Sequence, residues 1–243
     1  MQPMRAPDVQ SQTPVKVADM SIERIIYAYD PLCGWCYGFI PVMRAVAEAH
    51  PQVPIDVRMG GLVTGERVAP YSAARGYIVQ AAARMGQVTG RPLSDAFFEK
   101  ILTRDDIISN SAQPCSVVMQ VREGSDDPLG RKTLAYAHAL QEAHFENAMD
   151  INDVATHHAV AERVGVAMDL VMPSREDAQG QMEQEFAAAR ALGLNSYPTV
   201  LKMADKRLSV VPLDYDPAKF LDELATPAQD LRYGMAAGSP DAV

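Results

Sequence analysis

The first regular hydrophobic pattern is Ile22–Tyr29, where Ile25-Ile26-Tyr27-Ala28-Tyr29 is short, β-branched and aromatic, and apolar on both faces. That is the pattern of a buried central strand. Asp30-Pro31 breaks it. From Gly34 to about His50 the period turns helical, with Phe39, Val42, Met43, Val46 and Ala47 on one face. Pro51 closes that helix, and Pro54-Ile55-Asp56-Val57-Arg58-Met59 alternates like a second strand, ended by Gly60-Gly61. Strand, helix and strand in this order predict a β-α-β unit with parallel strands.

The pattern then changes. Tyr71 to Leu192 is rich in Ala, Met, Glu and Gln with almost no β-branched run, and its spacing predicts helices over 71–88, 93–103, 114–123, 130–145, 152–164 and 175–192. Asn152-Asp153 offers an N-cap, and Pro128, Gly130, Pro173 and Gly193 punctuate the block. Strand signals return in Tyr197–Met203 and Leu208–Pro212, on either side of the polar spacer Ala204-Asp205-Lys206-Arg207. They predict an antiparallel hairpin, followed by a last helix over Pro217–Leu224. The chain therefore divides into a leader (1–20), an α/β first half (21–65), an inserted all-helical domain (66–193), a β-β-α second half (194–228) and a tail (229–243).

Composition narrows the function classes. With 243 residues, 48% hydrophobic and 22% charged, the chain predicts a globular protein with a real core. No run approaches the length of a membrane span. A net charge of −9, with no Lys/Arg cluster, argues against nucleic acid and against anionic membrane surfaces as partners. Three cysteines are too few for a disulfide framework. The first twenty residues are rich in Pro, Gln, Asp and Ser without an apolar run, so a cytoplasmic location is expected.

The sharpest chemical feature is Cys33-Gly34-Trp35-Cys36, sited where the first strand ends and its helix begins. Unpaired N–H groups and the dipole favour negative charge at a helix N-terminus, and a thiolate at Cys33 is such a charge. The spacing puts both sulfurs on one face of the first turn, within reach of a disulfide. Cys33, first and more exposed, is the expected nucleophile, and Cys36 the resolving thiol. Two other readings stay open here: half a zinc site, for which no second Cys-x-x-Cys or His-x-x-x-His exists, and a pair of buried inert cysteines. The β-α context favours redox chemistry.

The segment Tyr29-Asp30-Pro31-Leu32-Cys33-Gly34-Trp35-Cys36-Tyr37-Gly38-Phe39 resembles the active-site segment of DsbA-like thioredoxin-fold proteins, closest to the bacterial protein-disulfide isomerases of that superfamily. Pro41 matches the family's helix-kinking proline, and Tyr197-Pro198-Thr199 its cis-proline loop at the start of the third strand. The helical block falls between the β-α-β and β-β-α halves, as it does in DsbA relatives. The resemblance spans roughly residues 22 to 225. It implies a thioredoxin-like fold with a large helical insertion. It also implies a substrate edge at Pro198, with Tyr197 and Thr199 beside it and Gly34 and Trp35 across from it. The Gly-Trp dipeptide replaces the Pro-His of periplasmic oxidants, so oxidising strength does not transfer.

The expected function is thiol–disulfide exchange or isomerisation on protein or small-molecule thiols and disulfides. No metal or organic cofactor is required, and glutathione is a candidate co-substrate. Asp30 is a candidate proton acceptor for the deeper thiol, against the commoner role of a strand-end turn residue. Cys115 is a candidate third thiol, although packing as a small hydrophobe is the more frequent fate. The Gly60–Gly65 loop can cradle an anion but lacks a phosphate-loop pattern, and His157-His158 cannot both face one metal. The alternatives are a glutathione-dependent transferase or isomerase of the kappa/hydroxychromene-carboxylate type, and a redox-sensing, chaperone-like binding protein. An intact Cys-x-x-Cys speaks against the transferase.

Overall fold

A computed structural model describes residues 22–167 and 169–227; the leader at 1–20 and the tail at 229–243 lie outside the described residues. Ile22–Tyr29 forms β1, Gly34–Gly38 and Ile40–Ala49 form α1 and α2, and Ile55–Met59 forms β2. Between β2 and the next long strand lie two two-residue strands, β3 (Ala69–Pro70) and β4 (Ile108–Ser109), paired with each other. The same stretch carries α3 (Arg75–Thr89), α4 (Asp95–Lys100), α5 (Ala112–Gly124), α6 (Arg131–Phe145), α7 (Val154–Arg163) and α8 (Arg175–Ala191). The strands β5 (Thr199–Ala204) and β6 (Arg207–Val211) and the helix α9 (Pro217–Ala225) complete the order.

The main sheet has the order β2-β1-β5-β6. β1 runs parallel to β2, with Tyr27 opposite Val57, and antiparallel to β5, with Ala28 opposite Thr199. From Ile25 onward every residue of β1 is buried, as a strand covered on both faces requires, whereas β2 alternates buried and half-buried positions. The β5–β6 hairpin turns through Asp205 and Lys206, both at positive φ (50° and 61°), the geometry of a type I′ turn.

The helix expected over residues 34–50 is two helices. Pro41 has no N–H to continue the ladder, and the chain breaks at Phe39, whose N–H lies 3.1 Å from the carbonyls of both Trp35 and Cys36. Asp153 caps α7 through the N–H of Ala155, as the sequence around it suggests. The helix expected from residue 71 begins with a single 3₁₀ turn, Tyr71–Ala74, before α3.

α6 is buried along nearly its whole length and contacts both α1 and β2. It therefore carries polar side chains, among them His138, Gln141 and His144, into the interior beneath the β1–α1 junction. α8 packs on α5 and β2 and meets the Ile26 and Ala28 face of β1, whereas α2 packs on α9 on the Tyr27 face.

Candidate active site

The turn after β1 is closed by the N–H of Cys33 donating to the Asp30 carbonyl at 3.1 Å. Cys33 then sits at the N-cap of α1, in extended backbone (φ −83°, ψ 109°), where its sulfur accepts the N–H of Cys36 at 3.4 Å. This is the orphan amide that an N-cap side chain normally satisfies, here taken up by a thiol. The same thiol donates to the Tyr197 carbonyl at 3.3 Å, across from the loop before β5. Both cysteines are free; Cys33 is 4% exposed and Cys36 is fully buried. Burial, and then the neighbouring Cys33 sulfur, push the Cys36 thiol well above the ordinary cysteine range.

Asp30 is fully buried. Its carboxylate accepts N–H groups from Leu32 (2.9 Å) and Leu62 (2.7 Å) and the hydroxyl of Ser111 (3.0 Å). Burial pushes its pKa up to about 6 from 3.8, against those hydrogen bonds, which pull it down. The turn is held from below by Gln141 of α6, whose amide donates to the carbonyls of Asp30 and Cys33, both at 3.0 Å.

The opposite wall is the loop into β5. The Tyr197–Pro198 peptide is cis, and Pro198 is buried. The Tyr197 hydroxyl donates to the Gly60 carbonyl at 2.6 Å, tying this loop to the end of β2. Thr199, the first residue of β5, turns its hydroxyl back to the Ser196 carbonyl at 2.8 Å. On the other flank the Trp35 ring lies against Tyr215, with centroids 5.6 Å apart, and Tyr215 meets Phe39 edge-on at 5.4 Å. Gly34 is half-buried, and a Cβ there would stand 3.8 Å from Met85 of α3. Beyond Tyr215 a groove of about 590 Å³ runs between the end of α3 and the start of α9, lined by Val88, Leu213, Asp214 and Lys219 among others.

The structure brings Cys33, Cys36, Gly34, Trp35, Tyr197, Pro198 and Thr199 to one end of the central strands β1 and β5, with Asp30 beneath them. Cys115 lies buried at the first turn of α5, at charge-interaction range of Asp30 rather than on the open side. His157 and His158 are elsewhere; they meet the carbonyls of Ile151 and Leu170. Among the described residues no group of three or more His, Cys, Asp or Glu side chains is arranged to hold a metal ion. Nor is any helix among them long and apolar enough to cross a membrane. Three contributors carry no sequence signal: Ser111, Gln141 and Tyr215 lie 81, 111 and far more residues from their partners, in segments that read as ordinary helix or loop.

No protein-family model matches the sequence, and no curated protein matches it. Solved structures do. The chain is similar to the cytosolic disulfide reductase DsbM from Pseudomonas aeruginosa, at 25% identity and a TM-score of 0.65, covering 83% of this chain and 96% of that one. The same protein solved with GSH gives 24% identity, a TM-score of 0.63 and the same coverage. A structure from Nitrosomonas europaea, provisionally named a protein disulfide isomerase, gives 20% identity and a TM-score of 0.63, covering 84% and 96%. The mixed sheet and its surrounding helices are those of the DsbA-like thioredoxin fold.

Proposed function

We propose that this chain, which has the DsbA-like thioredoxin fold, is a thiol–disulfide oxidoreductase working through Cys33 and Cys36. The observation that carries the reading is the setting of Cys33. Its sulfur caps α1, is met by the Cys36 N–H, and faces the Tyr197 carbonyl of the loop before β5. A developing thiolate there gains the Cys36 amide and the end of the helix as electrostatic partners.

In the proposed cycle the Cys33 thiolate attacks one sulfur of a substrate disulfide. A Cys33–substrate bond forms, the substrate S–S bond breaks, and the departing thiolate takes up a proton. Cys36 then gives up its proton and attacks the Cys33 sulfur. The substrate leaves as its second thiol, reduced by two electrons, and the Cys33–Cys36 disulfide holds the oxidising equivalents. Two thiols of the glutathione class return the site to the dithiol and leave as their disulfide. The GSH-bound neighbour supports this choice of co-substrate. A cytoplasmic setting, supported by the cytosolic reductase among the similar structures, keeps the dithiol reduced and favours the reductase or isomerase direction. Gly34, Trp35, Pro198 and Thr199 form the edge that meets the substrate backbone, and the groove past Tyr215 takes the chain beyond the disulfide.

The first test is equilibration in a series of glutathione redox buffers, alkylation, and mass analysis of the Cys33–Cys36 pair. A single two-electron transition is expected, its midpoint ranking reductase against oxidant; no disulfide at any oxidising ratio overturns the reading. Cys33→Ser is expected to abolish disulfide reduction, whereas Cys36→Ser accumulates mixed disulfides. Normal turnover by Cys33→Ser equally removes the proposal.

A further inference from the structure

β1 sends two tyrosines to the same side of the sheet, Tyr27 and Tyr29, and both are fully buried. Their hydroxyls fare differently. Tyr29 donates to the Ala137 carbonyl of α6 at 2.9 Å, whereas the Tyr27 hydroxyl meets no hydrogen-bond partner among the described residues. The Tyr27 ring is packed between Tyr29 (6.0 Å between centroids), Phe39 (6.3 Å) and the edge of His138 (6.4 Å). Phenylalanine would fill that space equally well. The nearby ring of α6 does not satisfy the hydroxyl either, since His138 Nε2 is itself without a partner. A buried hydroxyl without a good acceptor opposes folding, and a second state that supplies one offsets that cost.

The Tyr27 hydroxyl lies within interaction range of the two sulfurs at α1, Cys36 ahead of Cys33, and all three side chains belong to one buried cluster. A neutral thiol is a weak acceptor, but a thiolate is a strong one. We propose that Tyr27 is a positioning residue for the resolving thiol: its O–H donates to the Cys36 sulfur when that sulfur becomes a thiolate. In the dithiol only the weakly accepting thiol is within its range, whereas the thiolate gives the hydroxyl a strong acceptor in the state that attacks the mixed disulfide.

Burial and the two sulfurs hold the phenol well above its ordinary range, so Tyr27 keeps its proton and acts only as a donor. The other titratable groups facing Cys36 are Cys33 and Asp30 on its own turn, Tyr29 on β1, and Tyr197 and Tyr215 from the loops opposite. The Asp30 carboxylate, once ionised, works against the thiolate.

The inference rests on the dithiol reading, and one experiment separates the two. The reduced protein is mixed rapidly with an aromatic disulfide such as dithiobis(nitrobenzoate). Attack by Cys33 releases the first thionitrobenzoate and resolution by Cys36 the second, with acid-quenched mass analysis tracking the mixed disulfide. In Tyr27→Phe the first release is expected within about twofold of the parent. The second is expected to be roughly tenfold slower at pH 7, its pH midpoint about one unit higher, since one unit is a factor of ten. Thermal stability of the reduced variant should equal or exceed that of the parent, because an unpaired buried hydroxyl has been removed. Two releases at parental rate and midpoint overturn the role of Tyr27 alone. A destabilised variant in which both releases slow together makes the hydroxyl structural and also overturns it. A parent that never makes the second release removes the dithiol reading and this inference with it.

Discussion

Asp30 shows how burial redefines a residue that looks like turn punctuation. Its oxygens are occupied by two backbone amides and the Ser111 hydroxyl, which leaves little lone-pair capacity to receive a proton from Cys36. Its charge remains in play: the carboxyl ionises near pH 6 and, once ionised, disfavours a second negative charge at Cys36. Asp30→Asn is therefore expected to lower the pH midpoint of the Cys36 resolution step by about one unit, the scale on which neighbouring buried acids couple. An inflection near pH 6 in the parental profile should disappear with it. Resolution that slows in the variant, measured from the second thionitrobenzoate release, would make the carboxylate a proton acceptor instead. At this scale the sequence marks the sulfurs, because Cys-x-x-Cys is a local pattern on one helical turn. It is silent on Gln141 and Ser111, because their roles arise only when α5 and α6 pack beneath the turn.

Between elements, the important junction is that of β2 with the loop into β5. Gly60 is the place where the Tyr197 ring lies against the end of β2. A Cβ there would lie 1.9 Å from the Tyr197 ring, whose hydroxyl bonds the Gly60 carbonyl. Gly60→Ala must displace that ring, and with it the Tyr197 carbonyl that faces Cys33. Overpacking of this kind costs about 1–3 kcal/mol. The expected outcome is a lower denaturant midpoint together with slower attack by Cys33, the first release in the same assay. Unchanged kinetics in a destabilised variant would uncouple the Tyr197 loop from the nucleophile. The periodic elements were readable because period and punctuation are local: β1, β2, the β5–β6 hairpin and the long helices α5 to α8 fall close to where apolar spacing puts them. The break between α1 and α2 follows from Pro41, but its position at Phe39 depends on how that ring packs against Phe220 and Tyr215. The β3–β4 pairing involves two residues on each side and offers no periodicity to read.

Over the whole molecule, the titratable groups buried in the helical region set how the fold responds to acid. His144 bridges the Tyr71 hydroxyl (2.8 Å) and the Met149 carbonyl (3.0 Å), and His157 bridges the Tyr136 hydroxyl (2.6 Å) and the Ile151 carbonyl (2.8 Å). In each ring the nitrogen facing the carbonyl must donate, so the other accepts from the tyrosine and the imidazole is neutral. Burial lowers these two histidines to about 4 and His138 to about 3, from 6.5. Their contribution to stability is complete above pH 6.5 and is lost as pH falls toward 4, because the unfolded chain takes up protons that the native one refuses. Asp30 acts in the opposite sense: raised to about 6, it favours the native state at low pH and loses that advantage as pH rises from 3.8 through 6. With three histidines opposing one carboxyl, unfolding takes up protons between about pH 4 and 6.5, and stability falls on acidification by up to about 2–3 kcal/mol per pH unit. Urea unfolding of the reduced protein should therefore show a lower midpoint at pH 5 than at pH 7. Asp30→Asn should steepen that dependence and His157→Gln should flatten it. Equal or greater parental stability at pH 5 would mean that these rings are not held neutral. Because Gln141 lies on α6 between His138 and His144, acid that loosens this helix also releases the turn carrying Cys33. Loss of structure and loss of thiol–disulfide exchange should then track the same pH curve.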